Sequence, residues 1–292
     1  MDPVNARPPA PSAQLLERLR APGPVVAVEL RPPRANLPRE RSIDTWIDMY
    51  HGIRRVVRQD AFIFLTDNAV GQAEEESLHH LQTNLAQDVP PARLVPILTC
   101  KHSLDYCLMF ADRAASSGYE SLTVTGGDAA VGPPRCLERA WMLRERIRER
   151  IPGLALGGWA NPHRDATQQV AYLQAPRSSA DYYLTQVVSH HDMPRVEAFV
   201  REARTRGLEV PGLVGVFYYR SANPKTLARL GKFLPVPAEE LTREFAAGAT
   251  PEEVCARSVR SLRNVGVEKV YVSNLPFRSA AATLRRVLDL VD

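Results

Sequence analysis

Glu29 is the residue whose type and setting most invite chemistry. It lies near the end of the run Val25-Val26-Ala27-Val28-Glu29-Leu30. Side chains alternate along a strand, so Val25, Ala27 and Glu29 share one face. A carboxyl on a face that two apolar residues mark as interior is costly when charged, unless it is paired or protonated. Such a group can deliver a proton near neutral pH. The plainer alternative is a strand-end acid salt-bridged to Arg31 or Arg34. Gly126-Gly127-Asp128 follows a later apolar run. Glycines there let a flat ligand approach the backbone, with the Asp facing a cavity, although Gly-Gly-Asp is also an ordinary turn. Ser189-His190-His191-Asp192 invites a metal reading. Adjacent residues of an extended segment point to opposite sides, so no metal site is expected, and Asp192 reads as the N-cap of the next helix. His102 and Cys100 lack partners at ligand spacing. The first apolar run has no H-x-H pair, and no Ser or Cys stands in a nucleophile-elbow context. Acid-assisted chemistry on a flat heterocycle fits this inventory better than hydrolysis.

These residues must be positioned by the elements around them. Short apolar runs occur at Val25–Leu30, Ala61–Thr66, Leu94–Thr99, Ser121–Gly126, Leu154–Trp159, Tyr182–Gln186, Leu213–Tyr218 and Lys269–Asn274. Runs of this length suit parallel strands buried on both faces. Between them lie amphipathic stretches. From Ser42 to Arg58 the stripe is Ile43, Trp46, Ile47, Tyr50, Ile53, Val56 and Val57. A second helix is predicted from Ser103 to Ser117, stopped by Gly118. Thr250-Pro251-Glu252-Glu253 carries an N-cap, a first-turn proline and a capping-box Glu. Eight strand–helix pairs predict a single-domain (β/α)8 TIM barrel over residues 21–292, close to the ~250 residues typical of that fold. A doubly wound open sheet is the alternative, but no G-x-G-x-x-G follows the first strand. Residues 1–20 read as a loose, Pro-rich arm, and Pro235–Gly248 as a helical insertion before the last helix–strand pair. In such a barrel the chemistry belongs at the carboxyl ends of the strands. Those ends carry Glu29, Thr66-Asp67, Thr99, Asp128, Trp159, Gln186, Phe217-Tyr218-Tyr219 and Ser273-Asn274.

Composition narrows the classes further. The chain has 292 residues and a net charge of +4, too slight and scattered to point to nucleic acid. Lysine is scarce (Lys101, Lys225, Lys232, Lys269) and arginine abundant, which supplies planar forks for phosphates and carboxylates. Cys100, Cys107, Cys136 and Cys255 form neither a C-x-x-C pair nor a zinc spacing, so a disulfide framework is not expected. No apolar run approaches the ~20 residues that span a bilayer, and the first residues lack a signal core. The expectation is a cytoplasmic protein, a monomer or small homo-oligomer, with neither nucleic acid nor membrane as partner.

The strand ends together resemble the methylenetetrahydrofolate reductases. The resemblance rests on Val28-Glu29-Leu30-Arg31-Pro32-Pro33, Leu98-Thr99-Cys100, Gly126-Gly127-Asp128, Leu184-Thr185-Gln186 with Asp192 after it, Pro211-Gly212-Leu213 with Ala222-Asn223, and Ser273-Asn274. These six motifs run in order over nearly the whole ordered chain. The resemblance implies reduction of 5,10-methylenetetrahydrofolate to 5-methyltetrahydrofolate with electrons from a nicotinamide. It makes Glu29 the general acid that opens the five-membered ring to the 5-iminium cation. Asp128 would hold the pterin and offset that cation, and Gln186 would hydrogen-bond near the reacting rings. Thr66, Tyr218 and Asn274 join them on the folate side, with Tyr218 or Tyr219 stacked on the aminobenzoate ring near Arg220. Thr99, Gly126, Gly127, Trp159 and His163 are assigned to the nicotinamide cofactor, NADH or NADPH.

The departures concern the flavin that most members carry. Gly126 stands where the family has Arg. Tyr172 to Asp181 has Gln and Ala where cations are expected, and Arg177 follows a proline out of register. The loop after the fifth strand keeps only Trp159 and His163 of the family's pattern. Loss of charge-assisted contacts weakens binding of a pyrophosphate, so FAD is not expected and the chain is similar to the flavin-independent branch. An FAD-containing reductase and a folate-binding barrel without redox chemistry are the competing readings.

Overall fold

The apolar runs become eight parallel strands, each within one residue of the bounds read from the sequence: β1 Val25–Leu30, β2 Phe62–Leu65, β3 Leu94–Thr99, β4 Ser121–Thr125, β5 Ala155–Ala160, β6 Tyr182–Thr185, β7 Gly212–Phe217 and β8 Lys269–Ser273. Each pairs with its sequence neighbours, and β8 closes on β1 through Val25↔Lys269 to Glu29↔Ser273, giving a (β/α)8 barrel. This computed structural model describes residues 11–33, 37–66, 77–85, 87–128 and 132–292. Arg34 and Asp67, both weighed above, lie outside the described residues.

The helices of the first half are α1 Gln14–Arg20, α2 Arg39–Val57, α3 Ser77–Leu85, α4 Leu104–Ser116, α5 Ala140–Arg150 and α6 Ala166–Gln174. Those of the second half are α7 Met193–Thr205, α8 Pro224–Leu230, α9 Ala238–Ala246, α10 Pro251–Asn264 and α11 Ala280–Val291. Their starts follow local chemistry. Ser103 Oγ accepts from Tyr106 N at 3.2 Å to begin α4. Thr250 and Glu253 exchange both bonds of the predicted capping box, at 3.2 and 2.7 Å, to begin α10. Among the described residues no helix is long and apolar enough to cross a membrane.

Two expectations are corrected by packing. Residues 1–10 of the predicted arm lie outside the described residues, and the rest of it is not loose, because α1 closes the floor of the barrel. Leu15, Leu16 and Leu19 are buried in the interior cluster with Val25, Ala27, Phe62 and Phe64. Each such leucine contributes about 1.5–3 kcal/mol of burial, and Lys269 Nζ holds the helix end through the carbonyls of Leu19 and Ala21, at 2.5 and 2.9 Å. On α2, Ile43 and Ile47 are exposed, and the buried face is Trp46, Met49, Tyr50, Ile53 and Val56. Gly52 sits on that face because a Cβ there would lie 2.7 Å from the Phe277 carbonyl oxygen. The predicted insertion contains α9, whose Leu241 packs with Tyr219, Leu227 and Val254 beside the end of β7.

Candidate active site at the barrel mouth

Strand alternation decides which residues face the mouth. Leu213 belongs to the interior cluster and Phe217 packs against it, whereas Val214, Val216 and Tyr218 belong to the outer layer between strands and helices. By the same alternation Glu29, Thr66, Thr99, Trp159, Gln186 and Ser273 form the uppermost inward ring. The ladder continues past two strand ends into this ring, with Thr66 N donating to Leu30 O at 3.0 Å and Gln186 N to Ala160 O at 2.8 Å.

Glu29 is half-buried in the position its spacing predicted. Burial pushes its carboxyl above the ordinary carboxylate range. A hydrogen bond with Ser273, and then the charge of Arg31, pull the other way without cancelling that effect. Of the salt-bridge alternative, Arg31 enters only as the smallest of the three effects, and Arg34 lies outside the described residues. Below it, Tyr271 donates its hydroxyl proton to Thr185 O. Burial, and then the Glu29 charge, hold that phenol well above its usual range. The ring fits because β7 offers Gly215 opposite it, where a Cβ would lie 2.4 Å from Tyr271 Cζ. Thr123 and Tyr182 pair at 2.9 Å across the same interior, in front of Gly157.

The Gly126-Gly127-Asp128 turn works differently from the expected open cradle. A Cβ on Gly126 would meet Arg135 Cζ at 2.9 Å, and one on Gly127 would meet Lys101 Cγ at 2.8 Å. The missing side chains make room for the chain's own cations, and Arg135 Nη2 donates to Gly127 O at 2.7 Å. Arg135 Nε is buried with no hydrogen-bond partner. Gly127 also needs its φ of +69°. Asp128 is partly exposed beside them. Arg135 and Lys101 stand in no recognisable motif of their own, so the sequence alone does not connect them to the Gly126-Gly127 turn.

Other predicted site residues separate. Trp159 is 39% exposed on the mouth side of β5, a ring open to a flat ligand. Thr99 is fully buried, and its hydroxyl accepts from Lys101 N at 3.4 Å. Gln186 spends its side-chain oxygen on Val187 N at 2.9 Å. His163 is a strut rather than a mouth residue: its side chain is 5% exposed and Nε2 bonds Val187 O at 2.9 Å. Asn274, at φ +73°, donates from Nδ2 to Tyr218 O and accepts Arg220 on its own carbonyl, so it ties the β7 and β8 ends together. Tyr218 points outward toward Glu252 of α10, which removes it from the stacking role. Tyr219 is buried beneath the insertion, and Phe217, 4.9 Å from it between ring centroids, is the aromatic that faces inward. The parity of β7 was the signal available for this.

The Ser189–Asp192 segment is also corrected. His190–Asp192 is a 3-10 turn, not an extended stretch, and it brings the two imidazoles together with ring centroids 3.9 Å apart. Asp192 stands at the helix start, but its side chain makes no capping bond; Ser189 accepts from His191 N instead. The four cysteines are free thiols.

No family model matches the chain, and none of the curated proteins matches it. Solved structures do. One is an uncharacterized protein from Clostridium thermocellum that binds two copies of 5-methyl-5,6,7,8-tetrahydrofolic acid. It aligns at TM-score 0.67 and 16% identity over 95% of this chain and 98% of its own. Another is an F420-dependent secondary alcohol dehydrogenase in complex with an F420-acetone adduct, at TM-score 0.53 and 11% identity over 93% and 100%. Identities this low show a shared fold. The barrel is therefore common to a folate binder and an oxidoreductase, and the chemistry of this chain must be argued from its own mouth.

Proposed function

We propose that the chain reduces 5,10-methylenetetrahydrofolate to 5-methyltetrahydrofolate, with hydride taken directly from NADH or NADPH. Glu29 carries the reading: a carboxyl at the mouth whose burial favours the protonated form. Opening the folate's five-membered ring to an iminium cation needs a proton, and Glu29 can deliver one where general acids contribute about 10²–10⁴-fold. The carboxylate left behind faces the cation it has made. The folate-binding and oxidoreductase neighbours on the same barrel support the two halves of the reaction. A reduced nicotinamide beside the folate supplies the hydride, with Trp159 as a stacking surface and Arg135 and Lys101 as cations for its diphosphate.

The flavin-free part rests on α6, Ala-Thr-Gln-Gln-Val-Ala-Tyr-Leu-Gln, which has no lysine or arginine. Arg177 does not make up the loss, since its guanidinium lies over the Trp141 ring at 5.5 Å. Gly126 argues less strongly, because Arg135 restores a cation in its space. The absorbance spectrum of the purified protein and initial-rate kinetics test this together. A colourless protein with intersecting lines is expected, as both substrates must meet in one mouth. A yellow protein, or parallel lines, refutes direct transfer.

The second reading is a folate-binding barrel without redox chemistry, which the Clostridium thermocellum neighbour favours. Binding alone has no use for a proton donor held half-buried at the mouth. Absence of NADH or NADPH oxidation with methylenetetrahydrofolate, in a protein that still binds 5-methyltetrahydrofolate, would establish it.

A further inference from the structure

We propose that His190, His191 and Glu244 form a binding site for one borderline divalent cation, with Zn²⁺ the best fit. The site is separate from Glu29 and stands whether or not the reductase reading holds.

Two elements distant in sequence build it. The 3-10 turn after β6 folds His190 and His191 to the same side. Glu244 comes from α9 in the insertion, with Oε1 at 2.7 Å from His190 Nε2 and 3.5 Å from His191 Nε2. One ligand atom from each residue falls within 4.8 Å of the others. Donors around a tetrahedral Zn²⁺ with bonds of ~2.0–2.1 Å sit about 3.3 Å apart. Of the two separations to Glu244, one already matches that spacing and one needs to open by about half an ångström, while the two histidine donors lie within 4.8 Å of each other. Two imidazoles and a carboxylate are also a donor set that zinc accepts with a fourth position left for water.

The outer contacts prepare the same atoms. Ser258 on α10 approaches His190 Nδ1 at 2.9 Å and accepts from His190 N at 3.2 Å, while its hydroxyl reaches Val254 O at 3.4 Å. When the hydroxyl proton goes to Val254 O, Nδ1 donates to Ser258 and the Nε2 lone pair is free to ligate an ion beside Glu244. A second shell of this kind orients a ligating histidine. In that tautomer a cation replaces the proton that otherwise bridges Nε2 and Glu244 Oε1 at 2.7 Å. His191 Nε2 is buried and makes no hydrogen bond. Arg257 Nη1 lies 3.2 Å from Glu244 Oε2, yet that oxygen is buried and makes no hydrogen bond, so the carboxylate still has an acceptor to offer an ion. Asp192 and Glu240 act on His191 with negative charge that offsets the arginine. A bound ion would clamp the insertion to the rim of the barrel.

The rival occupant of the gap is a proton, which would make the cluster an imidazolium–carboxylate pair. The test uses the full chain after chelator treatment, titrated with Zn²⁺ by calorimetry and with Co²⁺ by visible absorption. One Zn²⁺ per chain is expected, with the intense d–d bands of four- or five-coordinate Co²⁺ and a melting temperature that rises with free Zn²⁺. Glu244→Gln and His191→Ala should each weaken binding by more than about 100-fold, beyond the range for loss of an outer-shell partner. Circular dichroism checks that both variants fold, and the wild-type titration stands by itself if either does not. His102→Ala should bind as wild type does. Absence of stoichiometric Zn²⁺ binding overturns the proposal, as does binding that survives both cluster variants or is lost in His102→Ala.

Discussion

Glu29 on β1 and Ser273 on β8 are register partners across the seam that closes the barrel, and Ser273 hydrogen-bonds the Glu29 carboxyl. The contact orients the acid at the mouth without supplying a charge that would ionise it. Glu29→Gln keeps the shape and the hydrogen bond but cannot deliver a proton. Its kcat should fall by about 10²–10⁴-fold, with NADH binding little changed. Retention of more than about a tenth of wild-type kcat would place the acid elsewhere, Asp128 being next in line.

The same group makes a prediction about stability. Burial raises the folded pKa of Glu29 above its unfolded value. Between the two values the native state holds more protons than the unfolded chain, so stability falls as pH rises through that window and stays lower above it. Glu29→Gln is neutral throughout. It should therefore melt higher than wild type at neutral pH, and the gap should close below about pH 4, the unfolded glutamate range. Thermal melts across pH decide this, and a wild type that melts higher at neutral pH would contradict it.

Phe217 and Tyr218 should separate cleanly. Phe217 faces the mouth, so Phe217→Ala should raise KM for the folate several-fold more than KM for NADH. Tyr218→Phe removes a bond to Glu252 in the outer layer. It should cost about 1 kcal/mol of stability and leave both KM values in place. Measuring both constants for both variants checks the assignment.

Arg135→Gln should weaken the nicotinamide. Loss of one charge-assisted bond costs about 1.5–3 kcal/mol, or roughly 10–150-fold. The rise should appear in KM for NADH and spare the folate; an equal rise in both would assign Arg135 to holding the Gly127 turn alone.

Gly215→Ala should destabilise the barrel by about 1–3 kcal/mol, the usual range for overpacking. Its Cβ would overlap the Tyr271 ring. In a Tyr271→Leu background the same change should cost clearly less, since the clash is gone. Additive costs in denaturant melts would disprove the pairing.

Local sequence alone determined the strands, the capping box of α10 and the inward face of Glu29. Each depends on periodicity or on bonds within four residues, which the chain satisfies wherever it goes. Tertiary structure decided the rest. Whether Leu15, Leu16 and Leu19 lie loose or close the barrel floor depends on a hydrophobic hole that exists only after β8 meets β1. Gly126 and Gly127 look like space left for a ligand until Arg135 and Lys101 arrive to fill it. His190 and His191 point apart on an extended chain and together on a 3-10 turn, and their carboxylate partner stands on an insertion more than fifty residues away. Such groups are brought together by long-range packing that no local pattern encodes, so their chemistry becomes visible only when the barrel closes.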